Sequence, residues 1–500
     1  MSSRLLVFAP LRIEAAALPK VPGWTVVRSG MGPARARIAA ARGLAVESPA
    51  VAVVGFCGGV APELRGGDIV CATELRRESG LPIPVPGSAL LAAALRRRGL
   101  RVHVGPILSI DRIAGPAERR AWIDNGVLAV DMESAWLAEA AHGRPFAVVR
   151  VVLDVADRSL FHPRTLAAGV HGLRNLRRAC GALDEWAQAA GPRRVLLASP
   201  RSFCAGVERA IEIVELALAQ RGAPVYVRKQ IVHNEHVVAD LERRGAVFVE
   251  ELDEVPEDAT VVFSAHGVSP AVRQTAEERR LDVIDATCPL VSKVHAEARH
   301  FAADGDTIFL VGHVGHEEVE GTQGEAPGAI RIVQDVREAE LVGVPDPERV
   351  SFLTQTTLAV DETNEVVDVL RRRFPQLRGP KTDDICYATT NRQQSVRAVA
   401  QQADVVLVVG SKTSSNSLRL VEVARREGAS AYLVDDEADV DVSWLRRASA
   451  IGLTAGASAP EELVDRLVAA LGALGPIDVE ERTTTTESVQ FRLPREVRPA

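Results

Sequence analysis

The most regular pattern in the chain is an apolar run, a small polar loop, then apolar residues at helical spacing. Residues 195–222 show it plainly. Val195 to Ala198 read as a short buried strand, and Val207, Ile211, Val214 and Leu218 then put one apolar face on a helix that Gly222 closes. The habit recurs downstream. "VVFSAHGVS", "TIFLVGHVGHEE", "VSFLTQTTLA", "VVLVVGSKTSSNS" and "AIGLTAGASAP" each end an apolar strand in small polar residues, and helical patterns follow nearly every one. Strands alternating with helices predict parallel α/β sheets, whose ligands bind beyond the carboxyl ends of the strands. There are too many strands for one small sheet, so two or three α/β lobes converging on one centre are expected. Upstream, "LLVFAP", "VAVVGF", "GDIVCAT" and "FAVVRVVLD" read as strands of a separate α/β part. The helix "LRNLRRACGALDEWAQAA" ends in "GPRR" before the fresh strand, which predicts a boundary at about 188–194 and domains of 1–190 and 195–496.

Composition narrows the function classes. A chain of 500 residues, 47% hydrophobic and 25% charged, is an ordinary globular protein of two to four domains. A formal charge of −7 gives no general case for nucleic acid or an acidic membrane. No run reaches the roughly 18–20 apolar residues that span a bilayer. The opening "MSSRLLVFAPLRIEAAAL" is not a signal peptide, because Arg12 and Glu14 cut its apolar run. A cytoplasmic protein is expected. Six cysteines are too few for a disulfide scaffold and would stay reduced there, which makes loop cysteines candidates for metal binding or catalysis.

Three cysteines lie on such loops: Cys204 in "SFCAG", Cys288 in "DATCPL" and Cys386 in "DDICYATTNR". Cys204 stands just before a helix, where the positive helix end favours a thiolate or a bound anion. Cys288 precedes a proline, as a ligand in bacterial ferredoxins does. The spacings are long and form no local CxxC pair. Histidines gather at strand ends too: His233, His266, His313 and His316. Three thiolates with a histidine suit zinc. Three thiolates alone suit an iron–sulfur cluster with one iron left open. Both readings stand at this point. Ser414, Ser415 and Asn416 precede one helix and Ser458 another, which suits an anion site. Ser458 with Glu461 and Pro460 matches a capping box equally well.

The blocks "SPRSFCAGV", "VHN", "FSAHGVS", "DATCPLVSKVH", "GHVGHEEVEGT", "TQTTL", "DDICYATTNRQ", "VVGSKTSSNS" and "TAGASAP" occur in this order. Together they closely resemble the 4-hydroxy-3-methylbut-2-enyl diphosphate reductase (LytB/IspH) family across residues 195–496. The resemblance implies three α/β lobes around a 4Fe–4S cluster ligated by Cys204, Cys288 and Cys386. It implies reductive removal of the substrate hydroxyl to give isopentenyl and dimethylallyl diphosphate in the non-mevalonate pathway, with ferredoxin or flavodoxin as electron donor. His233, His266, Ser414, Ser415, Asn416 and Ser458 match the diphosphate-binding set. Glu318 matches the proton donor, a choice the residues alone leave open among Glu317, Glu318 and Glu320. His316 and Thr356 match groups that position the substrate and its protons. Ser202 stands where the family often has glycine, and Glu317 where proline is common. The competing readings are a zinc hydrolase built on the same residues and a cluster-bearing sensor or scaffold.

In the first part, "RSGMGPARARIAAARG" is a glycine loop opening a helix, with Arg35 and Arg37 as possible anion contacts. "VGFCGGV" is a second glycine loop. "AVDMESAWLAEAA" places Asp131 and Glu133 at a helix start, and "VVLDVADRS" ends a strand in Asp154 and Asp157. These blocks resemble the nucleoside phosphorylase and nucleosidase family, including its hopanoid-associated members, over about residues 4–185. The resemblance implies that Glu133 binds ribose hydroxyls, Asp154 protonates the purine and Glu14 lies near the nucleophile. Leu153 replaces a serine common beside the aspartate, and the stretch from Val70 to Gly105 is short for the family. Cleavage of a nucleoside such as an adenosyl-hopanoid is one reading. A domain that only binds nucleotides or mediates dimerisation is the other.

Overall fold

The strands of the first part are nearly continuous apolar runs because the sheet they form is covered on both faces. The computed structural model describes residues 3–155 and 163–498, the side chains of 163–167 excepted, so Asp157 lies outside the described residues. The strands are β1 (Leu5–Ala9), β2 (Trp24–Arg28), β3 (Ala50–Gly59), β4 (Ile69–Arg77), β5 (Ile83–Pro84), β6 (Val102–Ser109), β7 (Ala129–Asp131) and β8 (Phe146–Asp154). They form one sheet in the order β2-β1-β3-β7-β6-β4-β5, with β8 pairing both β3 and β4. The four strands legible in the sequence are β1, β3, β4 and β8. The others escaped that reading because β2 is half exposed and β7 has three residues.

This topology collects strand ends. Gly58 of β3 is in register with Val130 of β7 on one side and Asp154 of β8 on the other. Asp131 and Asp154 therefore both lie at strand ends that flank Gly58.

After the long helix Pro163–Ala189, β9 (Arg193–Ser199) begins. Three further sheets follow. β10 (Val225–Arg228), β11 (Ala246–Val249), β12 (Thr260–Phe263) and β13 (Asp282–Asp285) pair in the order β11-β10-β12-β13. β14 (Thr307–Val311), β15 (Ile330–Val333) and β16 (Val350–Thr354) pair as β15-β14-β16. β17 (Val405–Val409), β18 (Ser430–Val434), β19 (Ala450–Ala455) and β20 (Ile477–Thr483) join β9 in the order β18-β17-β19-β9-β20. The first two of these sheets are parallel throughout, so all their carboxyl ends point one way.

By packing, the chain divides into two compact units. One comprises Met1–Val195 with Asp436–Ile451 and Asp465–Val479, and the other Leu196–Asp435, Gly452–Val464 and Glu480–Ala500. Within the first unit, Arg97 donates to the Val440 carbonyl at 2.8 Å and Glu185 pairs with Arg446 at 3.0 Å. These contacts draw the later segments into it.

The helix Ala205–Arg221 buries Ala210, Ile213, Val214 and Ala217, a face turned from the one the apolar spacing predicted. Val207, Ile211 and Leu218 are only partly covered. Two alanines let the helix sit close to its sheet, and counting only large apolar residues misses them. Ahead of this helix, Ser202 has φ +58°, the left-handed region that favours glycine.

Arg392 holds this corner together. Its fully buried guanidinium donates to the Ser202 carbonyl at 2.8 Å, to that of Phe203 at 3.1 Å and to that of Ala388 at 3.1 Å, and pairs with Glu487 at 3.0 Å. Arg392→Met leaves those acceptors unmatched. It is expected to lower unfolding free energy by about 3–5 kcal/mol, read from chemical denaturation midpoints.

Candidate active sites

Each of the three loop cysteines is the residue that precedes a helix. Cys204 caps Ala205–Arg221, Cys288 caps Pro289–Ala303 and Cys386 caps Tyr387–Ala400. All three line one cavity. Three helix N-termini thus aim partial positive charge at the place where three sulfurs meet, which favours thiolates and an anionic group. The Cys386 sulfur accepts the Thr389 N–H at 3.3 Å. A side chain at Gly206 would approach the Cys288 sulfur to 2.8 Å and the Cys204 sulfur to 3.8 Å, so this turn must stay bare. Burial pushes the free thiol of Cys288 up to about 12 and that of Cys386 to about 11. Metal ligation would hold such groups as thiolates at neutral pH.

The donor spacing bears on which metal. Among the described residues, the trio whose ligand atoms all lie within 4.8 Å of one another is His233, His266 and Glu317, not the three cysteines. The thiols stand in a wider triangle, which suits a multi-iron cluster better than a single ion. His233 and His266 are stacked, ring centroids 4.2 Å apart, so their in-plane lone pairs do not converge on one ion.

The rest of the cavity wall comes from strand ends. After β14, His316 caps the helix Glu317–Glu325, its Nδ1 accepting the Glu318 N–H at 3.2 Å. The Glu318 carboxyl is buried. One oxygen accepts the Thr356 backbone N–H at 2.7 Å, and the other pairs with the Thr356 hydroxyl at 3.0 Å. Burial raises its pKa in spite of these bonds. Of the three neighbouring glutamates, Glu318 lines the cavity. Glu317 turns to His266 at 3.1 Å and Glu320 lies 3.9 Å from Lys229. Burial would raise Glu317, but the hydrogen bond and charge of His266 bring its pKa below the usual carboxylate value.

His316 stands edge-on to both His233 and His266, with centroids 5.7 and 6.0 Å away. Burial lowers His233 to about 3 and His316 to about 4, so both are neutral at physiological pH. Ser414 caps Ser415–Arg426, and Asn416 follows with both amide atoms buried and without a hydrogen-bond partner among the described residues. An unmatched buried amide facing a cavity invites a ligand. Ser458 donates to the His233 carbonyl at 3.1 Å. Glu461 does not close a capping box onto it, because Glu461 takes hydrogen bonds from Arg201 and Ser202. His313 is different in kind. It is held by Arg419 at 2.7 Å and does not line the cavity.

A second cavity lies at the ends of β3, β7 and β8 in the first unit. It is lined by Glu14, Phe56, Arg119, Asp131, Glu133 and Asp154, among others. Arg150, fully buried, pairs with Asp131 at 2.8 Å and Glu133 at 3.3 Å. Glu133 also accepts the Gly32 N–H at 3.2 Å, and Glu14 accepts those of Phe56 at 2.7 Å and Leu11 at 2.6 Å. Asp154 lies 2.7 Å from Arg119. Burial raises Glu133 to about 7 and raises Glu14 and Asp154 as well. Arg37 turns away and lies over the Trp136 ring at 5.9 Å.

Residues 195–472 match the family model described as LytB protein. The chain belongs to the LytB family. Residues 20–179 match the phosphorylase superfamily. Among curated relatives, 4-hydroxy-3-methylbut-2-enyl diphosphate reductase 1 of Mycobacterium tuberculosis is 58% identical over 314 residues, 62% of this chain and 95% of that protein. The reductase of Acidothermus cellulolyticus is 60% identical over 307 residues, covering 61% and 90%. The solved structure of the Plasmodium falciparum reductase matches with a TM-score of 0.59 at 36% identity, over 61% of this chain and 97% of that one.

Within the LytB part, the sequence reading missed the residues that brace the cavity. Lys293, on the Cys288 helix, donates to the carbonyls of Thr382 and Asp383 at 2.6 and 3.1 Å and pairs with Asp384 at 3.0 Å. Asp384 in turn accepts the Thr354 N–H at 2.9 Å, two residues before Thr356. Two residues on, buried His295 pairs with Glu325 at 2.9 Å and ties the same helix to the one bearing Glu318. Both sit inside the block "DATCPLVSKVH", where a lysine and a histidine on a half-buried helix were the available signal. Arg150 had a signal too, as a charge inside an apolar strand. Arg119, in "PAERRAW", had none.

Proposed function

We infer that residues 195–496 form a reductase that converts 4-hydroxy-3-methylbut-2-enyl diphosphate to isopentenyl and dimethylallyl diphosphate in the non-mevalonate pathway. The observation that carries this is the buried Glu318–Thr356 pair beside three helix-capping cysteines, in a chain so similar to proteins of that name. A 4Fe–4S cluster held by Cys204, Cys288 and Cys386 would supply the electrons, passed on from ferredoxin or flavodoxin.

The reaction takes up two electrons and two protons and releases water. Glu318 is the proton source, since its burial keeps it protonated to a higher pH than a surface carboxyl. Thr356 fixes the carboxyl orientation through two hydrogen bonds and presents its hydroxyl to the substrate. The diphosphate is bound by Ser414, Ser415, Asn416 and Ser458 with the imidazoles of His233 and His266. His316 completes the proton network around Glu318. The helix start at Ser415 adds the favourable end of its dipole.

Residues 1–190 form a second domain that cleaves the N-glycosidic bond of a nucleoside, an adenosyl-hopanoid being the preferred substrate. Glu133 takes the ribose hydroxyls, Asp154, whose pKa burial raises, protonates the purine, and Glu14 lies near the nucleophile.

The reductase reading is tested anaerobically on chain with its cluster reconstituted, by following oxidation of reduced methyl viologen. Oxidation that depends on added 4-hydroxy-3-methylbut-2-enyl diphosphate is expected. No turnover from protein with full iron content would sink the enzyme reading and leave a sensor.

A further inference from the structure

We propose that Glu317, standing behind the wall of the LytB cavity, holds His266 as the imidazolium that receives the diphosphate. Glu317 is then a positioning residue, and this rests on reading that cavity as a diphosphate site.

A diphosphate ester is a multiply charged anion, and the cavity has few cations to meet it. Among the described residues, no lysine or arginine lines it. The charge must come from an imidazole. Burial lowers His233 to about 3 and His316 to about 4, and the His316 Nδ1 already accepts the Glu318 N–H. His266 is placed differently. It lines the cavity, and its Nδ1 is 3.1 Å from an oxygen of Glu317, which does not line the cavity. The Ser264 hydroxyl is farther from that nitrogen, at 3.4 Å.

This contact decides what His266 can offer. Glu317 is ionised, its pKa held below the usual carboxylate value by the hydrogen bond and charge of His266 in spite of burial. An ionised carboxylate only accepts, so the His266 Nδ1 carries a proton. A neutral ring in that tautomer would present a bare lone pair at Nε2 to phosphate oxygens, which are acceptors too. The ring therefore meets the diphosphate with a second proton, taken from solvent onto Nε2, and Glu317 balances the charge this creates. The other groups around it are the stacked His233, the edge-on His316, Glu318 and Lys229. Both rings are neutral. Lys229 opposes a charge on His266, but it lies 3.9 Å from Glu320, whereas Glu317 is in hydrogen-bond contact with the ring.

Glu317 is the first residue of its helix, a position that also suits proline. Glu317→Pro is therefore expected to fold while deleting the carboxylate. Glu317→Gln keeps an oxygen for the Nδ1–H and deletes only the charge. The test uses the full chain with its cluster reconstituted, and isopentenyl diphosphate as a ligand that is not reduced further. At about pH 8 the ligand's phosphates are already ionised, so calorimetry in two buffers of different ionisation enthalpy counts the protons the protein takes up. Uptake approaching about one proton per ligand is expected for wild type, and much less in both variants. In the viologen assay at that pH both variants should raise KM about tenfold and leave kcat within about twofold. The KM gap should narrow toward about pH 6, where an ordinary histidine is largely protonated. Equal proton uptake in wild type and Glu317→Gln would overturn the proposal. So would a loss confined to kcat, or a KM gap independent of pH, since either marks a structural role. Wild-type protein that takes up the proton with isopentenyl diphosphate yet oxidises no viologen would sink the reductase reading and support this one. Wild-type protein that binds no isopentenyl diphosphate would overturn both.

Discussion

Glu318→Gln is expected to lower reductase turnover by about 10²–10⁴-fold without changing the iron content of the protein. The substitution keeps the size of the side chain and its place at the start of the helix Glu317–Glu325. It keeps one oxygen to accept the Thr356 N–H that Glu318 accepts at 2.7 Å. It removes the proton. The pH dependence separates this from a packing effect. Burial raises the pKa of Glu318, so at neutral pH a larger fraction of it carries a proton than for an exposed glutamate. Turnover should fall as pH rises through that raised value, because the donor is then empty. In the glutamine variant the residual rate should lack that fall. Viologen oxidation across a pH series measures both.

Cys386→Ala and Cys386→Ser are expected to abolish turnover and strip iron from the protein alike, but to differ in the stability of the iron-free chain. Sulfur is the soft donor a cluster needs, and neither replacement supplies one. The Cys386 sulfur is also a helix cap, accepting the Thr389 N–H at 3.3 Å. A serine hydroxyl can take over that bond. Alanine cannot, and loss of a cap costs about 1 kcal/mol. Iron analysis and visible absorption read the first effect, and denaturation of the metal-free proteins reads the second. Iron retained at the wild-type level in Cys386→Ala would show that this thiol is not a ligand.

Of the two residues, the cysteine stood out in the sequence as a loop thiol, and the glutamate only as one of three. A strand followed by a glycine-rich loop and a helix has a distinct apolar rhythm, and the residue at its loop is placed at a helix start by that rhythm alone. Cys204 and Ser414 were legible that way, whereas Cys386 follows the helix Val360–Arg373 and a long polar loop, so no strand rhythm marks it as a helix start. Choosing Glu318 over Glu317 and Glu320 was not. All three carboxylates share one helical turn, and rotation about the helix axis sends one to the cavity, one to His266 and one toward Lys229.

The chain pattern alone thus determined the α/β class, the alternation that builds parallel sheets, and the strand ends where chemistry would gather. Those features follow from local periodicity, which each segment carries within itself. The tertiary structure decided the rest. It brought thiols 84 and 98 residues apart in the chain to one cavity (Cys204 to Cys288, Cys288 to Cys386), and it turned the Ala210 face of a helix inward. It set Arg119 against Asp154 and Arg150 against Asp131 and Glu133. A pairing of charges depends on which strand ends become neighbours, and no local pattern encodes the partner. Burial then moved the pKa values of Glu318, His233 and His316, because desolvation is a property of the packed cavity and not of the residue.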